Sequence, residues 1–181
     1  MSQSIVTTDT PVAAPAKVRG PSHTLSILVN NEPGVLMRIC QVFSRRAFNI
    51  DSLVVSEGRN ANFSRMTIGI SGDPQGLDQI IKQVSKLIDV IHCFEHTSEH
   101  AVTKEMVLIK IKCSPADRSQ ALQITEHFGG KTVDLTPASM IVMITGDSPK
   151  VDAAVAMFSQ FEIIETVRTG KVVMARGEQA T

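Results

Sequence analysis

The sequence contains no tryptophan, no tyrosine and only seven phenylalanines in 181 residues. Proteins that read RNA on a sheet surface stack bases against exposed aromatic rings, so this shortage counts against that class. A surplus of one charge is also lacking, since lysine plus arginine number 18 and so do aspartate plus glutamate. A chain without net charge has no overall field that attracts nucleic acid or anionic lipid. We therefore expect neither a nucleic acid nor a membrane among its partners.

Cysteines are few and apolar runs are short. Cys40, Cys93 and Cys113 are far apart, odd in number and contain no CxxC pair, which favours reduced cytoplasmic thiols over a disulfide framework or a zinc site. No apolar run approaches the roughly 20 residues of a membrane span. Residues 1–21 are rich in Ser, Thr, Ala and Pro and lack the apolar core of a secretory signal. They are predicted to form a disordered leader, with a transit peptide as the weaker alternative.

The hydrophobic pattern repeats one order of secondary structure in both halves of the chain. In the first half, residues alternate from His23 to Asn30 as in a half-buried strand, and a helical period begins at Val35. Asp73 followed by Pro74 is typical of a helix start. The predicted elements are strands at 23–30, 49–55, 65–70 and 90–94 and helices that begin at 35 and 74.

The second half shows the same β-α-β-β-α-β order without obvious residue identity to the first. Its helices begin at Ser114-Pro115 and at Asp147 or Ser148, and its strands lie at 105–112, 131–135, 139–145 and 163–168, with an extension over 171–174. Two helices on one face of an antiparallel sheet form a ferredoxin-like unit. The predicted fold class is α+β, with two tandem ferredoxin-like (βαββαβ) domains. The predicted divisions are a leader at 1–21, domains at 22–96 and 105–177, a linker at 97–104 and a tail at 178–181.

No catalytic constellation is visible in the sequence. The patterns GxGxxG, GxxxxGK[ST], GxSxG and HExxH are all missing. His92, His96 and His100 are spaced by four, which on a helix would align three metal ligands. However, His92 falls in a predicted strand and the other two fall in the linker, so exposed histidines without a ligand explain the pattern better. The sequence therefore predicts neither an enzyme nor a metal site.

The best candidate for a binding element is the turn Asn31-Glu32-Pro33-Gly34 ahead of the first helix. A helix N-terminus offers unpaired N–H groups and the positive end of a dipole, which suits a carboxylate. Gly34 has no Cβ, so a ligand can approach its backbone closely. Asn31 and Asn49 are predicted to add polar contacts to the same ligand. Ordinary turn chemistry is the alternative, because turns commonly use Asn, Pro and Gly.

Several segments in both halves of the chain form one recognisable pattern. They are Asn31-Glu32-Pro33-Gly34-Val35-Leu36, Phe43-Ser44-Arg45-Arg46, Asn49-Ile50-Asp51-Ser52-Leu53, Ser64-Arg65-Met66-Thr67-Ile68, Lys86-Leu87-Ile88-Asp89-Val90, Glu105-Met106-Val107-Leu108-Ile109-Lys110, Asp134-Leu135-Thr136-Pro137 and Arg168-Thr169-Gly170-Lys171. Together they resemble one known family, the ACT domain and, more narrowly, the small regulatory subunit of acetolactate (acetohydroxyacid) synthase. The likeness runs from about residue 21 to about residue 177, so it is far more specific than the turn alone.

The resemblance implies that the first domain is an ACT domain and that the chain is a non-catalytic regulatory subunit in branched-chain amino acid biosynthesis. It implies a large catalytic subunit as partner, which carries thiamine diphosphate, Mg and FAD, whereas this chain carries no cofactor. It further implies activation of that subunit, feedback inhibition by valine or another branched-chain amino acid, a homodimer with the effector at the shared ACT interface, and a cytoplasmic location. The implied effector contacts are Asn31, Gly34, Val35, Leu36, Asn49 and Ile50.

One residue departs from the family pattern, since Ala47 stands where the family usually has glycine just past the first helix. If Ala47 takes the left-handed conformation that ends many helices, it costs about 1–2 kcal/mol. The alternative function is a stand-alone ACT-type amino-acid sensor that regulates a different enzyme or a transcription factor. The matches in the second half distinguish the two functions, because the first half would look the same in both.

Overall fold

Each half of the chain folds into one sheet with two helices. The structure is a computed structural model that describes residues 22–97, 99–178 and 181, so the predicted leader at 1–21 lies outside the described residues. The first half contains β1 (Ser22–Asn30), α1 (Val35–Arg45), β2 (Asn49–Glu57), β3 (Phe63–Ser71), α2 (Pro74–Val84) and β4 (Val90–Glu95). The second contains β5 (Ala101–Lys112), α3 (Arg118–His127), β6 (Lys131–Leu135), β7 (Ser139–Gly146), α4 (Ser148–Phe158), β8 (Ile163–Arg168) and β9 (Val172–Ala175).

The strand orders confirm the predicted fold class. The first sheet has the order β2-β3-β1-β4 and the second β6-β7-β5-β8, with β9 paired to β5. All pairings are antiparallel, and the two central strands of each sheet are the first and third of their unit. This is the split-βαβ arrangement that the repeated element order predicts.

Both cores lie between a sheet and its two helices. On β1 the alternate residues Leu25, Ile27 and Val29 are fully buried and pack against apolar residues of α1 and α2. The second core repeats this arrangement with alternate residues of β5 and β7 against α3 and α4. Burial of one such aliphatic side chain contributes about 1.5–3 kcal/mol. Two separate cores therefore stabilise two units. The residues of β1 that alternate with the core residues point to the other face of the sheet, which the two helices leave open.

The second unit packs on the first unit at β2 and on that open face. Lys171 donates from Nζ to the hydroxyl of Ser22 over 3.2 Å. Thr181 is 8% exposed, and its carbonyl oxygen accepts hydrogen bonds from Arg65 and from His92. The tail residue Thr181 is therefore part of the packed structure.

Two predicted boundaries need correction. The predicted linker at 97–104 is too long, because Ala101 begins β5 and residues 101–104 pair with β9. That pairing depends on a distant segment, so the local pattern did not reveal it. The predicted helix start at Ser114-Pro115 is also too early, since the helix begins at Arg118. The hydroxyl of Ser114 donates to Asp117 over 2.6 Å, which favours a separate turn before the helix.

Ala47 adopts the left-handed conformation, with a φ of 55°, and is the only described non-glycine residue with a positive φ. It follows α1 in a Schellman motif, in which Phe48 donates to the carbonyl of Phe43 over 3.1 Å and Ala47 to that of Ser44 over 3.0 Å. The same motif ends α3, but there the left-handed residue is Gly129, with a φ of 58°. Ala47 therefore carries a strain that glycine avoids.

We predict that Ala47→Gly raises the free energy of unfolding by about 1 kcal/mol, because relief of left-handed strain exceeds the added entropy of the unfolded chain. Urea denaturation measures the change. Gly129→Ala is the reciprocal control, since an added Cβ there meets nothing closer than 4.0 Å, and it should destabilise by a similar amount. Equal or lower stability of Ala47→Gly would contradict the prediction, since the strain at Ala47 would then be no larger than the entropy cost of glycine.

Candidate functional site

The turn between β1 and α1 leaves the N-terminus of the helix open. Gly34 has a φ of 83° and precedes α1, which has no side-chain cap and no acidic residue in its first turn. The backbone N–H groups of Leu36 and Met37 have no acceptor among the described residues. The positive end of the helix dipole is therefore available to an anion.

Asn31 holds this turn against the loop between β2 and β3. Its Nδ2 donates to the carbonyl of Ala61 over 2.9 Å, and its Oδ1 accepts from the hydroxyl of Ser64 over 2.9 Å. Its backbone N–H donates to the carbonyl of Asn62 over 2.8 Å. One Nδ2 hydrogen and one Oδ1 lone pair remain for a ligand. Asn31 is thus a structural residue of the turn as well as a candidate contact.

Arg38 is a basic residue at the same place that the sequence reasoning missed. Its Nε donates to Asp89 over 2.7 Å, and a Cβ built on Gly34 would lie 3.2 Å from its Nη1. The Asp89 side chain is 9% exposed, and its backbone carbonyl accepts from Asn30 over 2.9 Å. Helical periodicity from Val35 places Arg38 on the polar face of α1, where a solvated arginine needs no function. A cation near the positive end of a helix is unfavourable without an anion. The position of Arg38 at the start of a helix was therefore the signal in the sequence that an anion lies close to it.

The two residues after Gly34 point in different directions. Val35 is 2% exposed and belongs to the core, so only its backbone can meet a ligand. The helical period that begins at Val35 places the apolar Leu36 near the buried face, but Leu36 is 37% exposed, because each helical residue turns by about 100° from the last. Its exposed side chain is available as an apolar wall beside the turn.

Asn49 and Ile50 lie at the opposite end of the same sheet. Asn49 pairs with Ser71 at the end of β3, whereas Asn31 contacts Ser64 at its beginning. Seven residue steps of a strand separate Ser64 from Ser71, which corresponds to roughly 23 Å. Ile50 is half-buried against the first core. Within a single chain, the four predicted contacts from Asn31 to Leu36 therefore lie together. Asn49 and Ile50 lie at a distance from them.

The histidines form no metal site. His92 stacks on Phe94 with ring centroids 5.0 Å apart, and His100 is exposed. His96 is half-buried, contrary to the expected exposure, and burial together with the charges of Arg65 and His92 lowers its pKa. No group of three His, Cys, Asp or Glu side chains within residues 22–97, 99–178 and 181 could hold a metal ion. No described helix is long and apolar enough to cross a membrane.

Comparisons with known proteins match both units of the chain. Residues 25–92 match the family described as the AHAS small subunit-like ACT domain, and residues 104–177 match the small subunit of acetolactate synthase. The chain belongs to the acetolactate synthase small-subunit family. It is a regulatory subunit of that synthase and not the catalytic one.

Individual relatives cover nearly the whole chain. It is 41% identical to the acetolactate synthase small subunit of Mycobacterium bovis, over 86% of this chain and 93% of the relative. The small subunit of Mycolicibacterium smegmatis is 39% identical, over 87% and 92%. The crystal structure of the small subunit from Thermotoga maritima superposes with a TM-score of 0.79 at 36% identity and covers 88% of this chain and 99% of that one.

These matches decide between the alternatives that the sequence left open. A stand-alone sensor would share the ACT unit, but the second unit also matches the acetolactate synthase family. The ACT domain of this subunit is the unit that contains the open turn at Gly34. Membership in the family also implies a partnership with the catalytic subunit of acetolactate synthase.

Proposed function

We propose that this chain activates the catalytic subunit of acetolactate synthase and makes it subject to feedback inhibition by valine or a related branched-chain amino acid. The observation that carries the effector site is the uncapped N-terminus of α1, where Gly34 exposes the backbone and two N–H groups lack acceptors. Thiamine diphosphate, Mg and FAD belong, in this proposal, to the catalytic subunit.

The effector carboxylate binds at the N-terminus of α1. The N–H groups of Leu36 and Met37 donate to it, and the Arg38 guanidinium beside Gly34 adds a positive charge. Each charge-assisted hydrogen bond contributes about 1.5–3 kcal/mol. This part of the site selects for a carboxylate over an uncharged analogue.

The two halves of the site meet across a homodimer. β2 is an edge strand, with β3 as its only strand partner among the described residues. Antiparallel pairing of two β2 strands across a twofold axis brings the start of one beside the end of the other. The end of β2 is Glu57, which pairs with Ser64, and Ser64 binds Asn31. The partner's β2 therefore carries its first residues toward the Asn31 turn.

In that dimer each site takes Asn31, Gly34 and Leu36 from one chain and Asn49 and Ile50 from the other. The exposed Leu36 and the half-buried Ile50 supply an apolar wall for a branched side chain. Such a wall separates ligands by only about 1–3 kcal/mol per methylene. Valine, leucine and isoleucine are therefore all expected to bind, with different affinities.

We predict that titration calorimetry shows saturable valine binding by wild type and none by Gly34→Asp, because the new carboxylate repels the effector carboxylate and strains a left-handed residue. Gly177→Asp is the matched control, since Gly177 has a φ of 73° and nothing within 4 Å of an added Cβ. It should bind valine like wild type. A wild-type chain that binds none of the three branched-chain amino acids contradicts the sensing role.

A mixed dimer tests whether the site is shared. Gly34→Asp and Asn49→Ala dimers should each lose most of their valine binding. A dimer with one chain of each kind, isolated through two different affinity tags, contains one site with both defects and one intact site. We therefore expect calorimetry to recover one site per mixed dimer at the wild-type affinity. Failure to recover any site would place all contacts within one chain.

A further inference from the structure

We propose that residues 168–171 of the second unit, which we call the coupling segment, sense the occupancy of the effector site through Asp51 and Ser71. This inference rests on the proposed function, because it takes Asn49 as an effector contact. The coupling segment and the start of β2 face each other across a cleft of about 580 Å³ between the two units. Asp51 and Ser71 line the cleft from the first unit, and Arg168 and Lys171 line it from the second.

The first unit connects Asn49 to the cleft by hydrogen bonds. Asp51 accepts from Nδ2 of Asn49 over 3.0 Å and also from the hydroxyl of Ser71. Ser71 in turn pairs across the sheet with Asn49 on one side and Ser22 on the other. An effector that hydrogen-bonds to the Asn49 amide competes with the bond from Asn49 to Asp51. Since Asp51 lines the cleft, effector binding changes the hydrogen bonding at the cleft surface.

The second unit holds the coupling segment firmly from its own side. Arg168 makes a forked pair with Glu105, at 2.9 and 2.6 Å, and contacts Asp152 at 2.5 Å. Burial alone would raise the pKa of Glu105, but the hydrogen bonds and charge of Arg168 outweigh it and the pKa is lowered. The pair is therefore charged at neutral pH. Thr169 adds a 2.9 Å bond from its N–H to the carbonyl of Met106.

Gly170 and Lys171 carry the contact to the first unit. A Cβ on Gly170 would lie 2.7 Å from Cγ2 of Val54 and 3.3 Å from the backbone of Leu53. The coupling segment and β2 of the same chain therefore touch without space for a side chain. Lys171 reaches the hydroxyl of Ser22 over 3.2 Å. A continuous path therefore runs from Asn49 through Asp51, Ser71 and Ser22 to Lys171.

This geometry suits transmission of a small movement. Close-packed contacts do not absorb displacements, and the coupling segment is fixed to the second unit by the ion pair of Arg168 with the buried Glu105. A shift of the first residues of β2 therefore displaces the coupling segment and the β8–β9 region that contains it. A test of this coupling separates effector binding from its consequence for the catalytic subunit.

The decisive variant is Lys171→Met in the holoenzyme reconstituted from this chain and its catalytic subunit. Valine binding by calorimetry should stay within about twofold of wild type, whereas saturating valine should leave several-fold more residual activity than in wild type, because lost coupling reduces the extent of inhibition and not the occupancy of the site. Lys86→Met is the matched control, because Lys86 is exposed and its side chain makes no hydrogen bond to a described residue. It should behave like wild type. Gly170→Ala, which inserts a methyl group into the contact, should uncouple in the same way.

Hydrogen exchange gives an independent readout. Saturating valine should slow amide exchange in peptides that span 163–175 of wild type and have a smaller effect in Lys171→Met. If wild type binds valine but exchange at 163–175 does not respond, or if Lys171→Met is inhibited like wild type, the coupling proposal is wrong. Loss of valine binding itself in Lys171→Met would also overturn it, since Lys171 would then belong to the binding site. Absence of binding by wild type instead refutes the proposed function.

Discussion

The antiparallel register of β2 on β3 determines where the two groups of predicted effector contacts lie. The pairing runs from Asn49 opposite Ser71 to Glu57 opposite Ser64. It separates Asn49 from Asn31 by the length of the sheet, although the two residues are only 18 positions apart in the chain. A side chain cannot bridge that distance, so any ligand that meets both residues requires two copies of this chain.

The same register gives β2 two different neighbours. Its free edge is available to a second copy, whereas Gly170 packs against its backbone near Leu53 and Val54. Asp51 lies between these two contacts and binds Asn49 and Ser71 at once. A regulatory subunit needs its sensing unit and its second unit to be coupled, and β2 is the element that both the dimer and the second unit would contact.

Much of the fold was predictable because periods of two and 3.6 residues are local properties of the sequence. The element order of both units and the turn ahead of Val35 are confirmed, and the conformation of Ala47, which the sequence left open, is left-handed. The pairing of 101–104 with β9 was not predictable, because it depends on residues about 70 positions away. The position of Arg38 at the start of a helix called for an anion, but the local pattern did not identify Asp89, 51 residues further along the chain, as its partner.

The candidate site was predictable in its residue types but not in its assembly. Gly34 ahead of a helix is a local signal for an anion, and the structure shows that end of the helix uncapped. Whether Asn31 and Asn49 lie together depends on strand register, which the sequence of a single strand does not specify. The family resemblance named the residues and implied a shared interface, but it did not say which residues each chain of the proposed dimer would contribute.

Reconstitution with the catalytic subunit is the sharpest test of the proposed regulation. Acetolactate formation should be measured for the catalytic subunit alone, with this chain, and with this chain plus valine. We expect this chain to raise turnover and valine to lower it again, with leucine or isoleucine acting at other concentrations. Turnover that is unchanged by this chain, or activated turnover that none of the three amino acids lowers, would refute the proposed regulation.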